Sequence, residues 1–133
     1  MTIQAGLKNE IKHMVQETDT ASAAGSGTLP TVLSTPRVIG WMEGAAHQTV
    51  LPFLEESQST VGTLVNIRHL AATPVGMQVV AKAELLEVDG RRLRFHIEAW
   101  DAVEKIAEGE HERFIIDCER FTQRLEKKQQ AQG

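Results

Sequence analysis

Residues 35–54, TPRVIGWMEGAAHQTVLPFL, hold the one long run of helical apolar period in this chain, and the residues after it alternate like strands. Val38, Met42, Ala45, Ala46, Thr49 and Phe53 recur at helical spacing and so share one helix face. Thr35-Pro36 predicts the helix start, with Thr35 as N-cap and Pro36 at the first helical position. Pro52 predicts an end or a bend near the last turn. Gly40, Gly44, Ala45 and Ala46 are small, which permits close approach by a sheet. A helix this apolar must bury its face, and the rest of the chain offers strands to bury it against.

The alternation after the helix is regular. Val61, Thr63, Val65, Ile67 and His69 alternate with Gly62, Leu64, Asn66, Arg68 and Leu70. AATPVG, residues 71–76, reads as a turn, and Met77, Val79, Ala81, Ala83 and Leu85 alternate after it. Asp89-Gly90 is a hairpin signal, because both central positions of such a turn favour positive φ. Leu93, Phe95, Ile97 and Ala99 form the return strand, with Arg92, Arg94, His96 and Glu98 on its other side. A turn over 101–104 leads to a last strand over 105–116. Upstream, residues 7–16 alternate, with Leu7, Asn9, Ile11, His13 and Val15 on one side. Residues 17–34 are small and polar and read as a mobile loop, either an inert connection or a lid over a site. Residues 119–133 read as a solvated helical tail. Short turns between successive strands predict antiparallel pairing. The expected class is α+β: one domain over 1–133, a curved antiparallel sheet of about five strands wrapped around a long central helix. The helix covers one sheet face; the other must meet water, a ligand or a second subunit, so a dimer is expected.

Composition narrows the function. A formal charge of −4 argues against a nucleic-acid partner, which favours a basic surface. No apolar run approaches the roughly 18 residues that span a bilayer. Cys118 is the single cysteine and cannot form an internal disulfide, and MTIQAGLKNEIKHMVQ has no apolar signal segment; a reducing cytoplasm is expected. There is no HExxH and no cysteine pair, and adjacent His111 and Glu112 point to opposite faces of a strand, so no metal is expected. Walker, GxGxxG and GxSxG motifs are absent. Arg91, Arg92 and Arg94 cluster at the hairpin and read as a solvated turn before a phosphate site.

Three residues carry possible chemistry. Glu43 places a carboxylate in the apolar middle of the helix, where partial burial would suit a general base or acid. It could equally sit at the stripe's edge, reaching water or pairing with His47. His69 extends an apolar strand face and stands just before a turn, a good place to present an imidazole to a cleft; a satisfied histidine at a sheet edge is the plainer reading. Thr35 has a capping role to fill, and a hydroxyl there could also touch a substrate. Eight helical residues rise about 12 Å, so Thr35 and Glu43 of one strictly helical segment cannot meet directly. A site using both needs a loop conformation at Thr35 or two subunits.

TPRVIGWMEGAA, VGTLVNIRHLAATPVGMQVVAKAELLEVDGRRLRF and AWDAVEKIAEGEHER, within about residues 30–125, resemble the fluoroacetyl-CoA thioesterase group of hotdog-fold thioesterases. The resemblance implies the hotdog fold, usually paired as a homodimer with sites at the interface. It implies hydrolysis of an acyl-CoA thioester without a metal or other cofactor, CoA being part of the substrate. It implies a catalytic set of Thr35, Glu43 and His69. Gly62 would lie beside the acyl group, and Arg113 matches an arginine near the acyl pocket. The family's fluoroacetyl-specific enzyme closes its pocket with a phenylalanine-bearing segment upstream of the helix. Here SGTLPTVLS, residues 26–34, has no aromatic residue, leaving Leu29 and Leu33 to line a wider entrance. A short or medium acyl-CoA other than fluoroacetyl-CoA is the expected substrate. A non-catalytic acyl-CoA or small-ligand module, and an enoyl-CoA hydratase or dehydratase, are the competing readings.

Overall fold

The structure is a computed structural model that describes residues 2–132; Met1 and the last residue of the expected tail, Gly133, lie outside them. Five strands form one antiparallel sheet: β1 (Lys8–Met14), β2 (Gln58–His69), β3 (Gln78–Asp89), β4 (Arg92–Trp100) and β5 (Lys105–Asp117). Among the described residues three α-helices accompany them: α1 (Ala21–Ala24), α2 (Thr35–Val50) and α3 (Cys118–Ala131). The spatial order is β1-β3-β4-β5-β2.

Alternation specified the faces but not this order. β2 does not pair with its successor β3; it runs along β5 and forms one edge of the sheet, while β1 forms the other. α2 lies over β1, β3 and β4, and β2 with β5 extends beyond it. Val38, Met42, Ala45, Ala46 and Val50 of α2 are fully buried against Val79, Ala81, Leu85, Phe95, Ile97 and Ala99. Alanines at 81 and 99 give room for the helix to seat close to the strands. Thr49, the polar member of the stripe, satisfies its hydroxyl on Ala45 O at 2.7 Å. Pro52 follows α2 within a short 3-10 turn, Leu51–Phe53, as its missing amide requires.

Four local expectations are corrected. The helix N-cap is Ser34, whose Oγ accepts from Arg37 N at 3.3 Å, so Thr35 is the first helical residue and its hydroxyl is free of capping. Residues 17–34 are not wholly loop: Glu17–Asp19 form a 3-10 turn, α1 follows, and an isolated bridge joins Thr20 to Leu33. Thr20 Oγ1 caps α1 by accepting from Ala23 N at 3.3 Å, a local bond that a count of small polar residues does not show. At the β3–β4 hairpin Asp89 pairs with Arg92, so the central residues are Gly90 and Arg91, and only Gly90 has positive φ (60°). β2 has a bulge between Gly62 and Leu64, where two residues oppose one on β5. Gly62 therefore faces the helix side together with Val65, Ile67 and His69, rather than opposite them.

Candidate active site

The N-terminal end of α2 and the C-terminal end of β2 meet at a pair of side chains. Thr35 Oγ1 lies 2.8 Å from His69 Nδ1. Ser34 makes this possible by taking the capping role one residue earlier. The pair borders a cavity of about 360 Å³ lined also by Pro30, Val32, Leu33 and Ala71. Burial lowers the His69 pKa and favours the neutral imidazole. Either atom of this pair can be the donor; a hydroxyl that donates to Nδ1 puts the ring proton on Nε2. That nitrogen is buried with no hydrogen-bond partner among the described residues. A buried polar atom left without a partner needs a reason, and a reacting group in the cavity would supply one.

Further along α2, Glu43 faces the bulge of β2. Its Oε2 lies 3.3 Å from Arg113 Nη1, so its partner is Arg113 on β5 rather than His47 on its own helix. The Glu43 side chain keeps 35% of its exposure while that of Arg113 keeps 11%, so the carboxylate stands at the boundary of the core. Gly62 lies directly under this pair. A Cβ there would come 2.7 Å from Glu43 Oε2, 3.3 Å from Arg113 Nη1 and 3.4 Å from His111 Cε1. The glycine is thus required by close approach, not by backbone conformation.

The sequence-predicted residues fall into two clusters. Thr35, His69 and Leu33 gather at one; Glu43, Gly62 and Arg113 gather at the other. Leu29 belongs to neither: it is exposed and its Cδ1 packs against Gly25. Arg92 pairs with Glu112, Glu87 and Asp89, and Arg94 with Glu87, which fits the reading of that cluster as a solvated turn. Sequence reasoning missed Thr60, His47 and His111, which surround Arg113. The available signal was that His111, Arg113 and Ile115 share a strand parity, and a basic pair on a buried face calls for partners. Among the described residues one trio has metal-ligand spacing, His96, Glu98 and Glu108, on the outer sheet face; Lys105 Nζ sits 2.8 Å from Glu108 and 3.4 Å from Glu98, supplying the positive charge there.

Comparison with known proteins gives the chain a family. The profile described as fluoroacetyl-CoA-specific thioesterase matches residues 15–119. The chain belongs to the fluoroacetyl-CoA-specific thioesterase family. A fluoroacetyl-CoA thioesterase from Streptantibioticus cattleyicolor is 39% identical over 102 residues, 77% of this chain and 73% of that protein. A solved structure of a fluoroacetyl-CoA thioesterase superposes with a TM-score of 0.92 at 32% identity, covering 96% of this chain and 98% of that one. A hot-dog-like protein from Thermanaerovibrio acidaminovorans shares the fold alone, with a TM-score of 0.85 at 20% identity over 95% of this chain and 93% of its own. The sheet wrapped on α2 is thus the hotdog fold, and the thioesterase family member is a thioester hydrolase.

Proposed function

We propose that this protein hydrolyses a short or medium acyl-CoA thioester, with Thr35, Glu43 and His69 as the catalytic set, each site being shared between two copies of the chain. The observation that carries the reading is the Thr35–His69 pair, which leaves His69 Nε2 buried and unpartnered beside a cavity. Glu43 activates a water molecule, whose oxygen attacks the thioester carbonyl. Amides at the α2 start or at Gly62 stabilise the oxyanion. As the C–S bond breaks, His69 Nε2 protonates the departing CoA sulfur, and Thr35 holds the imidazole in the required tautomer. The water's hydroxyl ends on the acid and its other proton passes through Glu43. No metal is needed for this sequence of steps.

Within one chain the two half-sites are separated by about two helical turns, or roughly 12 Å of rise. The free edge of β2 offers a way to join them. Leu64 and Val65 on this edge strand are about 40% exposed, which is typical of an edge that another strand covers. Antiparallel pairing of two β2 strands about Asn66 would set the Gly62–Thr63 bulge of one copy across from His69 of the other. Because of the bulge, Gly62 and His69 then share a face, and Glu43 of one copy approaches the Thr35–His69 pair of the second.

The acyl specificity follows from the entrance. Leu33 is buried in the cavity wall, and no aromatic residue stands in residues 26–34 to close over a two-carbon acyl group. Purified protein should therefore release CoA thiol from butyryl- or hexanoyl-CoA at least as well as from fluoroacetyl-CoA. Glu43→Gln and His69→Ala should each lower kcat/KM by about 100-fold or more. Absence of thiol release across the panel from folded protein would refute the hydrolase and leave a binding module; reversible hydration of an enoyl-CoA would point to a hydratase.

A further inference from the structure

Arg113 is 9% exposed, and the hydrogen bonds around it fix the protonation of its neighbours. Its Nη1 donates to His111 Nε2 at 3.1 Å. A guanidinium has no acceptor, so His111 Nε2 must be the bare, accepting nitrogen. His111 Nδ1 lies 2.7 Å from the carbonyl oxygen of Leu64, which can only accept, so Nδ1 carries the ring proton. On the other side, Arg113 Nε donates to Thr60 Oγ1 at 2.8 Å and Nη2 donates to Thr60 O at 3.1 Å. Thr60 is buried, and the remaining neighbour of its hydroxyl is His47 Nδ1 at 2.6 Å. The hydroxyl proton therefore goes to His47 Nδ1, and His47 carries its own proton on Nε2.

A buried arginine ordinarily meets a carboxylate in a two-point fork. Here neutral acceptors take most of its donors, and Glu43 receives a single bond through Oε2. Glu43 Oε1 has no hydrogen bond among the described residues and remains available to water or substrate. We propose that His111 and His47 are positioning residues, which as neutral imidazoles of opposite tautomer hold Arg113 in one orientation so that it anchors one oxygen of Glu43 and frees the other. For activity this rests on the hydrolase reading above; the tautomers do not.

The surroundings support neutrality. His111 faces Glu43 from α2, Phe95 from β4, the Leu64 carbonyl from β2, and Arg113 with Glu112 from its own strand. Burial lowers its pKa most, and Arg113 lowers it further against the Leu64 carbonyl and the two carboxylates, which raise it. Burial and then Arg113 lower that of His47. Protonating His111 Nε2 would set two donors against each other and turn Arg113 away from Glu43.

Nitrogen-15 imidazole NMR of the full chain at pH 7.5 tests the proposal directly. His111 should show a protonated Nδ1 and a bare Nε2, and His47 the reverse. A protonated Nε2 on His111, or the same tautomer on both rings, overturns it, whether or not any thioester is turned over. In the assay, His111→Leu should lower kcat by about tenfold or more with KM changed less, as expected when a reacting group is displaced. His111→Gln, which offers an acceptor and a donor, should recover most of the loss. Thr60→Val provides a second route if the leucine variant does not fold: it should release the His47 tautomer and lower kcat while His111 keeps its proton on Nδ1. Unchanged kcat in folded His111→Leu or Thr60→Val overturns the positioning role.

Discussion

Gly62 is the residue on which the Glu43 half-site turns. It is under no conformational demand, yet a Cβ there would press on Glu43 Oε2 and lie close to the Arg113 guanidinium and the His111 ring. Gly62→Ala should move the Glu43 carboxylate, lowering kcat/KM by about tenfold or more, since displacements near 1 Å carry such costs. Steady-state kinetics beside a thermal melt would separate this from a loss of fold, because the far ends of two flexible side chains can yield. Motif likeness proposed Thr35, Glu43, His69, Gly62 and Arg113, and the local pattern by itself proposed the first three; the structure brings Thr35 to His69 and Glu43 to Gly62 and Arg113. His47, Thr60 and His111 were not visible. Each is an ordinary polar residue on an alternating segment or a helix, and its significance comes from a bond to a residue 13, 53 or 2 positions away.

The elements themselves were well specified where period and length agree, and poorly where a single residue shifts the frame. The α2 stripe came through from Val38 to Thr49 because burial at helical spacing admits one orientation; Phe53, expected to continue it, lies half-buried in the 3-10 turn after the helix, and Val50 is buried instead. The first residue of the helix did not come through, because Ser34 and Thr35 are both competent caps and tertiary contact with His69 decides between them. Ser34→Ala should cost about 1 kcal/mol of stability, measured by urea unfolding, with little change in the Thr35–His69 contact. The β2 bulge was also hidden, since alternation continues on either side of it. It nonetheless sets Gly62 on the same face as His69, and the proposed pairing of β2 edges depends on it. Val65→Lys, placing charge on that edge, should shift the protein toward monomer in sedimentation and lower thiol release in parallel. A stable dimer with full activity would exclude this edge as the interface.

At the scale of the whole molecule, the fold class was legible and the strand order was not. Periodicity reports which side of a strand is apolar; it carries no information on which strand lies beside it, and β2 crosses to the far edge. The fold also gathers His13, His47, His69 and His111 on the helix side of the sheet, and burial lowers the pKa of each. His13 stacks on Trp41 of α2 with ring centroids 4.5 Å apart. The unfolded chain then binds protons near pH 6.5 that the folded chain refuses. The stability these groups contribute is complete above about pH 6.5 and is lost as pH falls through the lower folded values. The urea midpoint should therefore be lower at pH 5.5 than at pH 7.5. An equal or higher midpoint in acid would show that these imidazoles are solvated in the folded protein.

The wall of the Thr35–His69 cavity has a consequence for how such an enzyme changes its diet. Residues 21–33 hang from the body of the fold by the bridges Thr20–Leu33 and Val32–Pro74 and by the Leu33 amide on Thr73 O. They share no strand with the sheet that carries the core. Side chains at 29–32, none of which belongs to the buried core, can thus grow, shrink or gain an aromatic ring while the packing under α2 is left as it is, whereas Leu33 is held in that core. Under the proposed function, acyl preference can be changed there at little cost to folding, with Thr35 and His69 left in place.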